Sequence, residues 1–350
     1  MSEAEAFLSD IWYLGALSKD VRPGRLVRKI LFGEPIVFGR RGDGAAFALR
    51  DVCPHRGAPL SSGRIVDGGA LVECPYHGWR FRTDGACALV PALHREQSLD
   101  ISKITVRRYP TAEANGLIWL WRAAPGRERA EPCAPPPQTG LAPDRQPRVV
   151  VKEAARGPFD EAVIGLVDPA HTPVVHKQWW WRQGAGARNK SKSFEPTPLG
   201  FRMPPHAPSA NSRIYRFLGG APTTEIEFHL PALRFETIRT GRRNVLSFTA
   251  MTPGEPGAAE ITHLIYWDAP ALDLLLPFLQ KMAESFLAQD ARILGAQSTN
   301  LRLAPHSPLY LGDPDEPAKW YLRLKRAWLA RAPGEPFVNP IEPQSLRWKT

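Results

Sequence analysis

The chain has 350 residues, enough for two ordinary domains. Its 43% hydrophobic and 23% charged residues are the composition of a folded protein and exclude wholesale disorder. The formal net charge of +10 suits an acidic protein partner, but no dense basic run or nucleic-acid-binding motif accompanies it, so nucleic acid is not an expected ligand.

The 36 prolines and 28 glycines predict a loop-rich, β-rich body. The N-terminus, Met1-Ser2-Glu3-Ala4-Glu5, is acidic and does not lead into a long apolar stretch, which is not the pattern of a secretory signal. The most apolar later run, Leu272 to Leu279, is far shorter than the ~20 residues a membrane helix needs. A cytoplasmic protein without a membrane span is the expectation.

Residues 11 to 122 read as short strands separated by turns. Leu26–Leu31, Pro35–Phe38, Ala45–Leu49 and Gly116–Trp121 are the clearest, with Gly42-Asp43-Gly44 and Thr83-Asp84-Gly85 as turns. This predicts a small all-β domain over 1–125. A proline-rich linker is expected over 126–148, where Pro132, Pro135, Pro136, Pro137, Pro143 and Pro147 cluster. The second domain, 149–350, opens on strand-like Val149-Val150-Val151 and changes character near Phe159. It returns to strand patterns from 213 to 267, for example Thr224–Phe228 and Ile261–Trp267. After Pro270 a helical pattern runs to about Gln297, with Leu275, Leu279, Met282, Phe286 and Leu294 on its apolar stripe; a shorter helix is expected over Ala318–Ala330.

Two constellations carry chemistry. In the first, Cys53-Pro54-His55 is separated by eighteen residues from Cys74-Pro75-Tyr76-His77. Each loop offers one thiolate and one imidazole. A [2Fe–2S] cluster with two cysteines on one iron and two histidines on the other needs this division. A structural zinc site also takes two Cys and two His, but zinc fingers usually pair like with like across a two- to four-residue gap. Asp67-Gly68-Gly69 is expected as a hairpin tip between the halves, and Cys87 and Cys133 fall outside the pattern.

In the second, Asp168-Pro169-Ala170-His171 runs into Thr172-Pro173-Val174-Val175-His176. Two histidines five residues apart lie ~140° apart on a regular helix, too far for one ion. Pro173 is expected to break or bulge the helix so that both imidazoles turn to one point. Two histidines and one carboxylate leave open positions on Fe(II). Asp290, in the second half of the long helix, is the carboxylate expected to complete the set, with Glu284 as the runner-up. Each feature also has a structural reading: paired histidines near a proline are often core residues, and a helical aspartate is often solvated. Asp168 before Pro169 is good N-cap chemistry. The run Trp179-Trp180-Trp181 is read as core packing or as pocket wall.

Cys53-Pro54-His55-Arg56-Gly57 with Cys74-Pro75-Tyr76-His77-Gly78-Trp79 resembles the Rieske motif of aromatic-ring hydroxylating and demethylating oxygenases. Asp168 to His176 is similar to the mononuclear iron motif of that family, and Gln289-Asp290 resembles the place of its third ligand. Asp168-Pro169-Ala170-His171 looks like the version in the pheophorbide a oxygenase branch.

The resemblance implies an α+β subunit: an N-terminal all-β Rieske domain, then a catalytic domain whose curved antiparallel sheet is covered by the long helix. It implies a [2Fe–2S] cluster on Cys53, His55, Cys74 and His77, and mononuclear Fe(II) on His171, His176 and Asp290. Asp168 is implied as an electron-transfer bridge to the neighbouring subunit of a homotrimer. It further implies O2 as co-substrate and an apolar small-molecule substrate that is hydroxylated or demethylated. Electrons would come from NAD(P)H through a separate flavin reductase or ferredoxin, since no Gly-x-Gly-x-x-Gly motif is visible. A ring cis-dihydroxylating dioxygenase and a non-catalytic Rieske electron-transfer protein are the alternatives. Gly165 and Ile164 stand where the family often has an asparagine.

Overall fold

The computed structural model describes residues 7–349 apart from 95, 98, 177–188, 209–220, 242, 305, 306 and 333. The described residues form two compact units: Phe7–Arg145 with Thr252–Pro256, and Gln146–Met251 with Gly257–Thr350.

The first unit is all β, in three small sheets. Strands β1 (Ile11–Leu17), β10 (Thr111–Ala114) and β11 (Leu117–Arg122) form one, with β11 in the middle. The second runs β2 (Val27–Leu31), β3 (Glu34–Arg40), β4 (Ala46–Arg50) and β9 (Arg108–Tyr109); the third runs β5 (Arg64–Val66), β6 (Leu71–Glu73), β7 (Arg80–Arg82) and β8 (Cys87–Leu89). All four sequence-read strands are present, with bounds shifted by at most two residues. Asp67–Gly69 forms the tip between β5 and β6, as expected.

The proline-rich stretch read as a linker packs onto this first unit. Trp12 Nε1 donates to Ala134 O at 2.8 Å, Asn115 N to Pro143 O at 2.8 Å, and Thr139 Oγ1 to Asn115 Oδ1 at 2.6 Å. The unit also takes in residues from far downstream, since Thr252 Oγ1 donates to Leu14 O at 2.8 Å. No local pattern announces a hydrogen bond across 238 residues.

The second unit is built on one eight-stranded sheet in the order β12-β18-β17-β16-β15-β14-β13-β19. Its strands are β12 (Val149–Arg156), β13 (Asn189–Thr197), β14 (Gly200–His206), β15 (Thr223–His229), β16 (Leu233–Thr240), β17 (Arg243–Pro253), β18 (Ala258–Trp267) and β19 (Gln344–Lys349). The meander from β14 to β17 pairs antiparallel between neighbours in sequence, while β12 and β19 are recruited from outside it. β13, β14 and β19 were not read from the sequence; in β13, Asn-Lys-Ser-Lys-Ser has a polar residue at every position and hides its alternation. Part of the strand pattern expected from 213 falls on residues outside those described.

Four α-helices join this sheet among the described residues: α1 (Phe159–Val167), α2 (Thr172–Val175), α3 (Leu276–Leu303) and α4 (Glu316–Ala330). The long helix starts with a 3₁₀ turn over Pro270–Leu275 and runs one and a half turns past the expected end. It lies along edge strand β12, where Gln280 Nε2 donates to Val150 O at 2.8 Å and its Oε1 accepts from Val150 N at 3.3 Å. An edge strand leaves backbone groups unpaired, and this amide satisfies two of them. Helix α4 buries Trp320, 1% exposed, edge-on between Phe194 of β13 and Phe201 of β14 at 5.3 and 5.1 Å. Removing so large a buried ring leaves a cavity that costs about 3–5 kcal/mol. Trp320→Ala is therefore expected to lower the urea midpoint of unfolding, followed by circular dichroism, by far more than Trp320→Phe.

Candidate metal centres

The two cysteine–histidine loops are near copies of each other. In the first, Cys53 N donates to Ala58 O at 2.9 Å and Gly57 N to Cys53 O at 2.8 Å. In the second, Cys74 N donates to Trp79 O at 2.8 Å and Gly78 N to Cys74 O at 3.2 Å. Gly57 and Gly78 sit at φ +73 and +66, left-handed values that let each loop turn back on its cysteine. Asp51, buried, accepts from Ser61 N and Ser61 Oγ, both at 2.6 Å, and so ties the two ends of the first loop. Nothing in the motif pointed to that aspartate.

These loops bring all four expected ligands together. The Cys53 and Cys74 thiols are buried in the same apolar cluster. The His55 and His77 rings meet edge to face at 4.5 Å, and Trp79 stacks on His55 at 4.7 Å. Burial, then the neighbouring Cys74, pushes the Cys53 thiol up to about 11. Desolvation, then His55 and Arg56, moves His77 below the usual imidazole value. His55 Nδ1 is buried without a hydrogen-bond partner among the described residues. Two buried thiols, of which Cys53 resists ionisation, and an orphaned buried nitrogen fit a bound metal cluster, whose positive charge favours thiolate and whose irons take neutral imidazole. Cys87, buried in the same apolar cluster, and exposed Cys133 lie outside the four-ligand set.

The second centre is built by α1, α2 and α3. No break falls between the two histidines; the helix breaks before Pro169, upstream of both, and His176 leaves helical geometry at the end of the next turn (φ −89, ψ 103). Helix α1 ends at Asp168, whose extended backbone (φ −68, ψ 120) is what a residue before proline prefers. Pro173 instead sits in the first turn of α2, where its missing N–H costs nothing, and does not break a helix. His171 and His176 flank this single turn as its N-cap and C-cap. Asp290 reaches them from α3.

The ligand atoms of His171, His176 and Asp290 lie within 4.8 Å of one another. Asp290 Oδ1 is 3.7 Å from His171 Nε2 and 3.4 Å from His176 Nε2. Glu284, the runner-up, is exposed and accepts from Gln280 Nε2, away from the histidines.

Asp168 does two things at once. Its Oδ1 accepts from Ala170 N at 2.6 Å, closing the turn, while Oδ2 faces His171 Nδ1 at 3.4 Å. His176 is fully buried, with Phe286 stacked on its ring at 3.5 Å. Phe286 and Asp290, four residues apart on α3, therefore share a face toward the histidines. Phe286 was legible as an apolar helical position, not as the ring's packing partner.

Burial pushes Asp290 up to about 6, with His171 and Arg234 opposing. Burial, then His171, holds His176 down to about 3. For His171 burial pulls downward, but Asp168 and Asp290 outweigh it and the net shift is upward. A neutral imidazole and a desolvated carboxylate, held beside a second imidazole oriented by Asp168, form a donor set that fits a divalent cation.

This centre lies on the wall of a cavity of about 780 Å³. The wall is largely apolar, including Ile164, Met203, Phe228, Ile261, Met282 and Phe286. Sequence reasoning missed its polar groups. Arg234 donates to Glu236 at 3.0 Å, and Thr249 Oγ1 meets His263 Nδ1 at 2.8 Å. Burial, then Arg234, holds His263 down to about 4, so its ring is neutral near pH 7. Strand register puts Arg234 opposite Thr249, so these groups form one polar row in an apolar field. Gly165 also lines the cavity; a Cβ there would make only an ordinary 3.7 Å contact with Leu294. Trp179–Trp181 lie outside the described residues.

Comparison with known proteins agrees with the first constellation. Residues 11–110 match the Rieske [2Fe-2S] domain family. The chain is 35% identical over 180 residues to the chloroplastic chlorophyllide a oxygenase of Chlamydomonas reinhardtii, covering 50% of this chain and 25% of that one. It is 35% identical over 178 residues to the oxygenase component of dicamba O-demethylase from Stenotrophomonas maltophilia, covering 49% and 48%. The matches thus span from a quarter to about half of these relatives' own length. A crystal structure of dicamba monooxygenase bound to dicamba superposes with a TM-score of 0.68 at 22% identity, over 93% of this chain and 100% of that one.

The fold is therefore that of a Rieske-type oxygenase subunit, a Rieske β-domain followed by a large antiparallel sheet with a long helix. By sequence, residues 11–110 match a Rieske [2Fe-2S] domain, and about half of the chain is similar to chlorophyllide a oxygenase and to the oxygenase component of dicamba O-demethylase.

Cys74→Ser is expected to abolish the visible absorption of purified protein. Iron should fall by about two atoms per chain while the second centre keeps its own, as read by metal analysis.

Proposed function

We propose that this chain is a cytoplasmic terminal oxygenase that hydroxylates or demethylates a small, largely apolar, ring-containing substrate. One observation carries the reading. A His171–His176–Asp290 donor set, assembled within 4.8 Å from two helical segments, opens on a 780 Å³ cavity in a chain that also bears a Rieske domain. Pockets of this size suit small molecules of one to a few rings.

Cys53, Cys74, His55 and His77 would hold the [2Fe–2S] cluster, and His171, His176 and Asp290 the iron. When bound, these groups supply one-electron transfer and dioxygen activation, respectively.

The chain's own residues do the remaining work. His55 and His77 pack edge to face beside Trp79, and desolvation holds His77 below the usual imidazole value. Asp168 fixes the direction of His171 through Nδ1, and the Phe286 ring holds the plane of His176. The apolar wall excludes water from the reacting face of the substrate, and the Arg234–Glu236 and Thr249–His263 pairs offer it hydrogen bonds.

Asp168, placed at the end of α1 and partly exposed, is suited to join His171 to a cluster histidine of a neighbouring copy, in a homotrimer arranged head to tail. Electrons would come from NAD(P)H through a flavin reductase or ferredoxin, and the +10 charge suits an acidic carrier. Relatives named as a demethylase and as monooxygenases support insertion of a single oxygen atom over ring dihydroxylation. No helix among the described residues is long and apolar enough to cross a membrane.

Metal analysis of reconstituted protein tests the reading directly, and a single kind of metal site, with nothing at the second, would sink it. His171→Ala is expected to keep the brown colour and lose turnover. Asp168→Asn keeps an oxygen to accept from Ala170 N but removes the charge at His171 Nδ1. It is expected to leave stability within about 1 kcal/mol, since the turn survives. Its turnover should fall tenfold or more, a loss of about 1.4 kcal/mol or greater. Electron arrival at the second centre, followed by stopped-flow bleaching of the cluster, should slow with it.

A further inference from the structure

On β13 the side chains alternate, with Lys190, Lys192 and Phe194 on the cavity side and Asn189, Ser191 and Ser193 exposed. Register with β19 sets Lys190 opposite Trp348 and Lys192 opposite Leu346, so apolar groups and not acids face the two ammoniums across the ladder. Both lysines are partly buried and line the cavity that also holds His171 and Asp290.

Neither lysine has an ion-pair partner among the described residues. Lys192 Nζ donates only to Ala207 O, at 3.3 Å. The acids that line the cavity are committed elsewhere: Asp168 and Asp290 face the histidines, Glu236 pairs with Arg234, and Glu161 accepts from Gln297. The segments that join α2 to β13 and β14 to β15, 177–188 and 209–220, contribute Lys177, Arg182, Arg188, Arg213 and Arg216 to the sequence and no Asp or Glu. Burial lowers both lysines from their ordinary value, and Lys192 adds repulsion on Lys190. Two neighbouring, partly desolvated cations without a counter-charge are destabilising unless an anion joins them.

We infer that the substrate of this cavity is an amphipathic anion, an apolar ring body carrying a carboxylate or sulfonate that is held by Lys190 and Lys192. This rests on the cavity being the substrate site of the function proposed above and narrows the class of substrate. The apolar wall near His171 takes the ring, and the β13 lysines take the charge. Position inside a cavity, not on an open face, favours a small molecule over an acidic protein.

The test uses two fluorescent probes with the same naphthyl–phenyl amine body: 8-anilinonaphthalene-1-sulfonate and its uncharged counterpart N-phenyl-1-naphthylamine. A hydrogen-bonded charge in a partly desolvated site contributes about 1.5–3 kcal/mol, so the sulfonate is expected to bind the metal-loaded protein at least about tenfold more tightly. The preference should shrink as salt rises. In the double variant K190Q/K192Q it should collapse to within about twofold, and in K190R/K192R it should persist.

Equal affinity for the two probes, a preference that survives K190Q/K192Q, or failure of the folded protein to bind either probe would each overturn the inference. Circular dichroism confirms folding of each variant. The readout is binding and not turnover. A chain without the second metal can therefore still discriminate the probes, and a metal-replete oxygenase can still fail to, so the two proposals fail separately.

Discussion

A carboxylate and two imidazoles, drawn out of water and held within 4.8 Å of one another, form the constraint around which the second unit is built. Left alone, such a group of ligands is unfavourable. Burial raises Asp290 and depresses His176, and neither effect repays the desolvation of the other. A divalent cation reverses that balance, because it favours the ionised acid and the neutral ring together. The surrounding devices are directed at this point. Asp168 orients one ring, Phe286 packs on the other, and the break before Pro169 lets a single helical turn carry both histidines at its ends.

The cluster loops solve the same problem differently. There the ligands sit on two short β-hairpin-like turns, each closed by a glycine in the left-handed region and by paired backbone hydrogen bonds around its cysteine. Rigid turns hold the cysteines in place although Cys74 disfavours ionisation of Cys53. The helical centre keeps an open side toward a cavity, whereas the cluster loops bury their sulfurs in an apolar core.

The cavity is apolar but not featureless. A polar row formed by Arg234, Thr249 and His263 crosses its sheet wall, and β13 contributes two lysines without acids opposite. In a low-dielectric enclosure a few charges decide orientation, because each is costly to leave unmatched. The ring body and the charged end of a bound molecule are thereby given different places.

Much of this was legible from the chain alone. Two mixed Cys/His loops and a His-x4-His pair with a distant helical acid are short-range patterns, and short-range patterns survive without coordinates. The strands of the first unit and both long helices followed from alternation and from the 3.6-residue period. What the sequence did not disclose depends on contacts between residues far apart along it. The proline-rich stretch packs against the first unit, the Thr252 hydroxyl crosses to Leu14, and β19 pairs with β13 across some 150 residues. Even at the predicted site, Pro169 and not Pro173 breaks the helix. A proline's effect depends on whether its missing N–H falls inside a helix or in its first turn, and only the folded backbone decides that. The candidate ligands were thus legible from residue type and spacing. The walls and charges that select what the ligands act on were fixed by strand register, which no local pattern encodes.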